Sequence, residues 1–497
     1  MKQNRHGPSQ DPLKAHNFSW LPDRASELFA LLMRIGLLVC LVASISLALH
    51  SAFWGSSSRR FALPDRTTKF PDYSAQNDDV TGPTNISHVI FGIGASVHTW
   101  RERSRYSLQW WDPNATRGFV WLDAEPKPDV IKDTVSIPYR VSEDWTRFKY
   151  SSSRAAVRIA RIVLENFRVG FPNARWFVMG DDDTVFFADN LVSVLGSYDH
   201  TQMYYIGGNS ESVEQDAMHA YDMAFGGGGF AISRPLAARL AKILDGCLDR
   251  YYRFYGSDQR IWACLSELGV SLTRHRGFHQ LDIKGNPYGL LAAHPLVPLV
   301  SLHHLDYLNP LFPGQTQIES VETLMKAYRV DPGRILQQCF CYDKKRKWSI
   351  SISWGYTLQI YPFMLAASEL QMPLQTFKTW RSSSDGPFTF NTRPVSDDPC
   401  QQPLVYFLER VEEVAESGTR SSFLLSLSKQ AKKCRTEVYK RVMAIPKVVV
   451  TSMKMDKDYW NKVPVRQCCE ILDHASVKNG VMQIRIRKCR PKETITF

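Results

Sequence analysis

The chain has 497 residues, of which 44 % are apolar, and a formal net charge of +12. This length and composition are sufficient for two packed domains and exclude a largely disordered protein. The charge is uneven, because residues 429–497 hold 17 Lys or Arg against 6 Asp or Glu. Such a basic terminal region suits anionic lipid headgroups or an acidic polysaccharide, although a solvated basic face is an equal alternative.

An apolar segment near the N-terminus has the length of a membrane span. Residues 35–54 carry no Asp, Glu, Lys or Arg, and about 20 apolar residues cross a bilayer. We therefore expect a cytosolic tail over 1–34, a transmembrane signal anchor over 35–54 and a stem over 55–85, with type II orientation. A cleaved signal peptide is the alternative, which the long polar lead disfavours. The basic residues before the segment favour a cytosolic N-terminus; they are Lys2, Arg5, Lys14, Arg24 and Arg34.

The remaining chain has features of a protein of the secretory lumen. Nine cysteines follow the apolar segment, mostly late in the chain, and Asn85 and Asn114 each begin an Asn-x-Ser/Thr sequon. The late cysteines predict a disulfide-braced C-terminal part, and their odd number leaves at least one thiol without an internal partner. A lumenal chain is not expected to bind nucleic acid.

Strand and helix patterns alternate along the middle of the chain. Strands are predicted over 88–93, 119–122, 175–179, 203–206 and 225–233, and helices over 148–167, 190–195 and 235–248. This alternation predicts an α/β domain, with bounds 86–312. After residue 313 short β-like runs, such as 348–358, predict a second, β-rich module over 313–497.

Three consecutive carboxylates end the third predicted strand. Asp181, Asp182 and Asp183 follow the apolar run Trp176 to Met179. Clustered, desolvated carboxylates repel one another, and a hard divalent cation with oxygen ligands is the usual compensation. Ligands of open α/β sheets bind beyond the carboxyl ends of the strands. The sequence therefore predicts a cation site here; a solvated acidic turn is the alternative.

Two further motifs follow downstream. Four glycines at 226–229 precede Phe230 in an apolar run, and glycine in a strand marks either close approach of another group or a bulge. Asp258 lies at the start of a predicted helix, where it is either an N-cap or a general base held at a helix entrance.

Histidines supply further candidate ligands. Because imidazole commonly joins oxygen ligands on Mn²⁺ and similar ions, each of four histidines is a candidate to complete the cation site: His279, His294, His303 and His304. The residues alone do not choose among them.

In combination and in order, these motifs resemble the Fringe-like glycosyltransferases of glycosyltransferase family 31, and in particular a plant group of Fringe-related membrane proteins. The motifs are Trp-Phe-x-x-x-Asp-Asp-Asp, Gly-Gly-x-Gly-Phe-x-Ile-Ser and the His304 to Asp306 element, and the resemblance covers roughly residues 88–310. It implies a Golgi enzyme of the GT-A fold that transfers a hexose from a UDP-sugar with inversion. The acceptor would be a hydroxyl of a glycan, glycoprotein or glycoside.

The resemblance also implies roles for individual residues. Asp183 and His304 would bind Mn²⁺, and Asp181 and Asp182 would lie nearer the ribose and the metal-bound waters. Asp258 would be the catalytic base. The run Gly227, Gly228, Gly229 and Phe230 would line the donor and acceptor cleft, and the strand near Phe91 with the Asp123 end would face the uridine.

The sequence departs from animal Fringe at three positions: Gly228 replaces Ala, Ala231 replaces Cys, and Ser257 replaces an acid. The loss of that acid keeps a rival open, namely a catalytically silent carbohydrate-binding or scaffold protein with the same fold. A metal-dependent phosphoester hydrolase is a second rival, since such enzymes also group aspartates at strand ends.

Overall fold

The computed structural model describes residues 23–54 and 82–496, except for 135, 150–152, 416, 429–430, 457 and 473–479. The chain divides into two compact units, Met1–Gln76 and Asn77–Phe497. Much of the predicted tail and stem (1–22 and 55–81) lies outside the described residues.

In the first unit the described residues form one helix, α1 (Asp23–Trp54). It includes the segment predicted to be a transmembrane anchor. None of the described helices combines the length and apolarity that crossing a membrane requires. The structure therefore does not support the predicted anchor at 35–54.

The second unit holds a seven-stranded sheet, two small sheets and a closed eight-stranded sheet. Its strands are β1 (Val89–Gly94), β2 (Arg117–Leu122), β3 (Tyr139–Val141), β4 (Trp176–Asp181), β5 (Val185–Phe186), β6 (Tyr205–Gly207), β7 (Phe230–Ser233), β8 (Leu272–Arg274), β9 (Phe278–Gln280), β10 (Ile283–Gly285), β11 (Ser301–His303), β12 (Gln338–Asp343), β13 (Trp348–Ser353), β14 (Thr357–Tyr361), β15 (Phe377–Thr379), β16 (Leu404–Val414), β17 (Gly418–Ser426), β18 (Lys447–Met453), β19 (Cys468–Ile471) and β20 (Val481–Arg487).

The helices of this unit flank the strands. They are α2 (Trp100–Trp110), α3 (Pro128–Ile131), α4 (Arg154–Arg168), α5 (Ala188–Leu195), α6 (Val213–Met218), α7 (Arg234–Arg250), α8 (Ser257–Glu267), α9 (Tyr288–Leu291), α10 (Gln317–Val330), α11 (Ala367–Leu370) and α12 (Glu437–Met443). The predicted α/β architecture is confirmed. The predicted strands and helices are present with shifted bounds, and the glycines predicted to open a strand instead form a turn before β7.

The seven-stranded sheet has the order β3-β2-β1-β4-β7-β6-β8. Strands β1 to β4 run parallel, whereas β7 runs antiparallel to both β4 and β6. Five of the six residues of β4 are buried, because helices cover both faces of a parallel sheet. The carboxyl ends of β1, β2 and β4 therefore meet at one edge, where Gly94 is in register with Asp181.

Two small sheets extend this edge. Strand β11 pairs with β5 and β9, and β10 pairs with β15. The second pairing matters because β15 comes from the part of the chain predicted to be a separate module. It brings residues near 380 beside residues near 283.

The C-terminal part confirms the predicted β-rich module, with the closed sheet in the order β12-β13-β14-β16-β17-β18-β20-β19. The disulfides Cys341–Cys469, Cys400–Cys434 and Cys468–Cys489 lie in this part, and Cys247–Cys264 joins α7 to α8. Cys339 is buried and not disulfide-bonded, which matches the odd count in the sequence. One apolar core contains both Val178 of β4 and Ile350 of β13, so the two parts of the second unit share a core. The boundary at 312 stays a prediction.

Candidate active site

The acidic triplet lies at the carboxyl end of β4, the predicted position. Asp182 and Asp183 are buried, whereas the side chain of Asp181 is about 34 % exposed. The backbone N–H of Asp181 donates to Thr184 Oγ1 at 2.9 Å, and Thr184 donates in turn to the carbonyl of Gly227 at 2.7 Å. These two bonds tie the triplet to the glycine turn.

Thr99, at the start of α2, and Arg103, within α2, both donate hydrogen bonds to Asp182. Thr99 Oγ1 donates to Asp182 Oδ2 at 3.0 Å, and Arg103 Nη1 donates to Asp182 Oδ1 at 3.1 Å. The same guanidinium lies 3.4 Å from Asp183 Oδ2 and 3.8 Å from Asp306 Oδ2. Arg103 therefore offsets part of the negative charge. Asp306 also accepts a short hydrogen bond from the hydroxyl of Tyr106.

Asp183 contacts His303, whose Nε2 lies 3.0 Å from Asp183 Oδ1 and 3.8 Å from Asp181 Oδ2. Although these distances are short, neither oxygen of Asp183 accepts a geometrically sound hydrogen bond from a described residue. Ligand atoms of Asp181, Asp183 and His303 all lie within 4.8 Å of one another. A buried carboxylate that accepts no hydrogen bond, beside an imidazole and a second carboxylate, fits a divalent cation.

The three carboxyl groups have different proton affinities. Desolvation at the carboxyl end of β4, with the charges of Asp183, Asp182 and Asp258, raises the pKa of Asp181 to about 7, although its side chain is about 34 % exposed. Burial and Asp183 raise the pKa of Asp182 to about 6, against the opposing charge of Arg103. Burial also acts to raise the pKa of Asp183, but the His303 and Arg103 side chains outweigh it and lower that pKa. Asp183 is therefore the carboxylate that stays ionised most readily.

The glycine turn leaves room for the histidine. A Cβ at Gly227 would lie 2.0 Å from Cε1 of His303, so any side chain there would displace the imidazole. Gly229 has φ +84°, a backbone conformation that glycine adopts without strain. The N–H of Gly228 donates to Gln280 Oε1 at 2.7 Å, and Phe230 begins β7.

Three of the four candidate histidines have separate partners, and the fourth, His294, packs against the His279 ring with centroids 5.0 Å apart. His304 adopts φ +67°, a left-handed conformation uncommon outside glycine, and its Nδ1 lies 2.8 Å from Asp282 Oδ1. Its ring stacks on Trp380 with centroids 4.9 Å apart. His279 instead contacts Glu211 at 2.8 Å. The structure thus groups His303 with the carboxylates, and His304 lies beside them in the Asp282 pair.

Asp258 lies in the first turn of α8, for which Gly256 is the cap residue, so the N-cap alternative is wrong. Its Oδ2 accepts from the N–H of Gly226 at 3.2 Å, and its Oδ1 accepts from the N–H of Gln259 at 2.8 Å. Asp258 and Asp181 line the same small cavity. The carboxylate is therefore held beside the cluster, separated from it by the glycine turn.

Asp123 follows β2 at the same edge of the sheet. Its carboxylate accepts from Ser96 Oγ and from the N–H of Val97, each at 2.8 Å. Burial alone would raise its pKa, but these two bonds and the charge of Arg158 lower it. Phe91 of β1 is fully buried against Trp110, so it supports this edge from within the core.

Sequence reasoning missed several residues of this site. Arg103 lies on α2, a helix that was not predicted, although its Trp-Arg-Glu-Arg-Ser-Arg run precedes the triplet. Gln280 and Asp282 are polar residues beside a predicted ligand, His279, and could have been noticed as its neighbours. Trp380 had no local signal, because only the pairing of β10 with β15 brings it to His304.

Residues 215–469 match the family described as "Protein of unknown function, DUF604", which is more than half of the chain. The chain belongs to the DUF604 family. Residues 136–286 of this DUF604 protein also match the family described as "Fringe-like". The resemblance to Fringe-like glycosyltransferases is thereby confirmed, and both matches include the glycine turn and Asp258.

Two relatives of this DUF604 protein are both named beta-1,3-N-acetylglucosaminyltransferase lunatic fringe. It is 33 % identical over 251 residues to beta-1,3-N-acetylglucosaminyltransferase lunatic fringe of Danio rerio, covering 46 % of this chain and 63 % of that one. It is 33 % identical over 124 residues to lunatic fringe of Gallus gallus, covering 21 % and 33 %. The chain thus spans less than two thirds of either relative.

A solved mannosyltransferase, PcManGT from Pyrobaculum calidifontis in complex with GDP-Man and Mn²⁺, aligns with 51 % of this chain and 73 % of its own at 13 % identity. The TM-score is 0.23, which is below that of a shared fold.

Proposed function

We propose that this protein is a metal-dependent, inverting glycosyltransferase of the GT-A type that transfers a hexose from a UDP-sugar to a hydroxyl of a glycan, glycoprotein or glycoside. The observation that carries the proposal is the cluster of Asp181, Asp183 and His303 facing Asp258 across a glycine turn. The Fringe-like match over 136–286 supports the same reaction class.

Asp181, Asp183 and His303 would hold the cation, for which Mn²⁺ is our choice because carboxylate and imidazole ligands both suit it. When bound, such a cation neutralises the charge that develops on a departing diphosphate. Arg103 opposes the rise in the pKa of Asp182 and adds positive charge at the same end of β4. Asp123, at the end of the neighbouring β2, would bind the nucleoside, with its carboxylate held by two hydrogen bonds.

Asp258 would accept the proton of the attacking hydroxyl. General base catalysis requires a carboxylate held close to the reacting centre in a fixed orientation. The two backbone N–H donors, from Gly226 and Gln259, hold Asp258 in this way. Attack from the side opposite the leaving diphosphate inverts the sugar in one displacement, so the chain need supply no nucleophile.

Trp380 and Tyr307 would supply the acceptor platform. Trp380 stacks on His304, and the Tyr307 ring meets it edge to face with centroids 4.6 Å apart. Tyr307 is about half exposed, which leaves aromatic surface beside the cation cluster. Aromatic side chains with one apolar face and a polar tip suit sugar rings, which are themselves amphipathic.

The test is turnover by the purified full-length chain. We expect release of UDP from at least one of a panel of UDP-sugars with Mn²⁺ and not with EDTA. Asp183→Asn should abolish binding of UDP with Mn²⁺. Asp258→Asn should keep that binding and lower turnover by about 10²- to 10⁴-fold, the usual contribution of a general base.

Three outcomes would contradict the proposal. Absence of any UDP-sugar binding with Mn²⁺ would remove its basis. Binding with no turnover, and with no effect of Asp258→Asn on any signal, would select the silent carbohydrate-binding protein. Release of phosphate from simple esters without affinity for nucleotide sugars would select the phosphoester hydrolase.

We further propose that the enzyme works in the oxidising lumen of the secretory pathway, in the Golgi. Four disulfides support this location, since disulfides persist in oxidising compartments. The sequon residues Asn85 and Asn114 are both exposed, and glycosylation of either would support the proposal.

A further inference from the structure

A second cavity is lined by Phe278 and His279 of β9, apart from the residues of the cation cluster. Its volume is about 610 Å³, within the range of roughly 300–1,000 Å³ that is usual for ligand sites. Residues 208–211 and 274–279 line one wall, and residues 371–373 and 389–391 of the C-terminal part line another. The cavity therefore exists only where the two parts of the second unit meet.

Three buried polar side chains form its floor. Glu211, His279 and His294 are 6 %, 5 % and 1 % exposed. His279 Nδ1 lies 2.8 Å from Glu211 Oε1, and the ring centroids of His279 and His294 are 5.0 Å apart. Burial raises the pKa of Glu211 and lowers the pKa values of both histidines, so it disfavours the charged form of each side chain.

The floor has unused hydrogen-bonding atoms. Within the described part of the chain, Glu211 Oε2, His279 Nε2 and both ring nitrogens of His294 have no hydrogen-bond partner, and neither has Oδ1 of Asn209 at the cavity wall. A buried polar atom without a partner costs about 1–3 kcal/mol. Unpartnered atoms gathered around one cavity are the hydrogen-bonding groups that a polar ligand would use.

The walls are basic. Arg274, Arg276 and Arg466 line the cavity, and Glu211 is the one acidic residue among the described lining residues. Arg276 is exposed, whereas Arg466 is held by hydrogen bonds to the carbonyl and side-chain oxygens of Gln338. Unused hydrogen-bonding atoms on the floor suit hydroxyl groups, and guanidinium groups favour a carboxylate.

We propose that this cavity is a second saccharide-binding site, selective for acidic oligosaccharides that contain uronate residues. Sugar hydroxyls would pair with the unused atoms of His279 and His294. The uronate carboxylate would meet the arginines, and Phe390 would offer an apolar wall. This inference does not depend on the transfer reaction, because it requires neither the cation nor Asp258.

The site is linked to the cation cluster through one polar chain. Ser210 lines the cavity and donates to Asp282 Oδ2 at 2.8 Å, while Asp282 Oδ1 contacts His304.

The test is calorimetry on the full-length chain in EDTA, without nucleotide. The probes are uronate di- to tetrasaccharides prepared from galacturonan and from glucuronan, together with their carboxyl-reduced, neutral counterparts. We expect at least one acidic probe to bind at least tenfold more tightly than its neutral counterpart. Failure of every acidic probe to bind would overturn the proposal while leaving the transferase proposal intact.

Variants locate the binding. His294→Leu preserves the volume and removes both ring nitrogens, so it should weaken binding at least tenfold. Arg276→Gln, at an exposed position that does not threaten folding, should remove most of the preference for the acidic probe. Arg239→Gln, an exposed arginine of α7 outside the cavity, is the matched control and should change neither. Binding that neither cavity variant alters, or that appears only with Mn²⁺ and UDP, would overturn the assignment.

Discussion

Two adjacent histidines at the end of β11 have different partners because their backbones differ. His303 ends the strand with its ring against Asp183, whereas His304 turns into the left-handed region and reaches Asp282. A non-glycine residue in this region is unfavourable by about 1–3 kcal/mol and persists where its surroundings fix it. Here the Asp282 contact and the stack on Trp380 fix it.

Replacing each histidine separately distinguishes their roles. His303→Gln should weaken binding of Mn²⁺ in the presence of UDP by about 100-fold or more, since even loss of a group supporting a ligand typically costs 10–100-fold. His304→Gln should weaken it less than about tenfold. Isothermal titration calorimetry of both variants measures this. If His304→Gln had the larger effect, the cation would be held as the family resemblance implied and not as the geometry suggests.

The proton on Asp181 predicts a pH dependence. The pKa of this group is about 7 in the folded protein against an ordinary 3.8. The folded state therefore binds a proton that the unfolded chain has released, so this contribution favours folding at low pH and is lost as the pH rises through about 7. In EDTA, Asp181→Asn should raise the Tm by roughly 1 to 3 °C at pH 8 and by much less at pH 5.

Thermal unfolding at the two pH values checks this prediction. Asp129→Asn, at an exposed carboxyl group of α3, is the control and should change the Tm equally little at both. A Tm gain for Asp181→Asn that is the same at pH 5 and pH 8 would show that the effect is not one of charge.

Among single residues, the sequence located the carboxylates best, because burying a charged group without a partner costs free energy. The triplet and Asp258 were visible as carboxylates at element ends, and the glycine turn as an unexplained run. The choice of His303 required the backbone angle of His304, which no residue pattern encodes. Arg103 required knowledge of which helix packs above the end of β4.

At the scale of elements, the pairing of β10 with β15 connects the C-terminal part to the active site. Lys284 of β10 is in register with Lys378 of β15, and Trp380 comes directly after the end of β15. The backbone N–H of Trp380 donates to the carbonyl of Asp282 at 3.1 Å. The C-terminal part therefore delivers a side chain that the α/β sheet lacks, and a short antiparallel pair fixes its position.

Trp380 variants test the acceptor platform. Trp380→Ala should raise the acceptor KM about tenfold. A tenfold change equals about 1.4 kcal/mol, which is near the upper end of the energy that an aromatic contact adds beyond area burial. Trp380→Phe keeps an aromatic face and should raise it less. Binding of UDP with Mn²⁺ should change little in either variant. Steady-state kinetics with varied acceptor measure this, and a defect confined to donor binding would contradict the role.

At the scale of the molecule, the sequence predicted two parts of different secondary structure, one α/β and one β-rich, because the alternation of strands and helices and the turn residues are local signals. It did not predict that the β-rich strands close into one sheet or that they share an apolar core with β4. Both depend on contacts between residues far apart in the chain. The apolar segment at 35–54 shows the opposite case, in which a strong local signal predicted an anchor that the described helices do not support.

The disulfides should stabilise this shared architecture unequally. Cys341–Cys469 joins β12 to β19 across 128 residues, whereas Cys247–Cys264 spans 17. Because a cross-link restricts the unfolded chain more when it closes a longer loop, replacing both cysteines by serine should lower the free energy of unfolding by about 5 kcal/mol for the first pair and about 3 kcal/mol for the second. Denaturant unfolding of the two double variants measures the difference. Equal losses would mean that loop closure does not dominate, and a larger loss for the α7–α8 pair would place the main stabilisation within the α/β part.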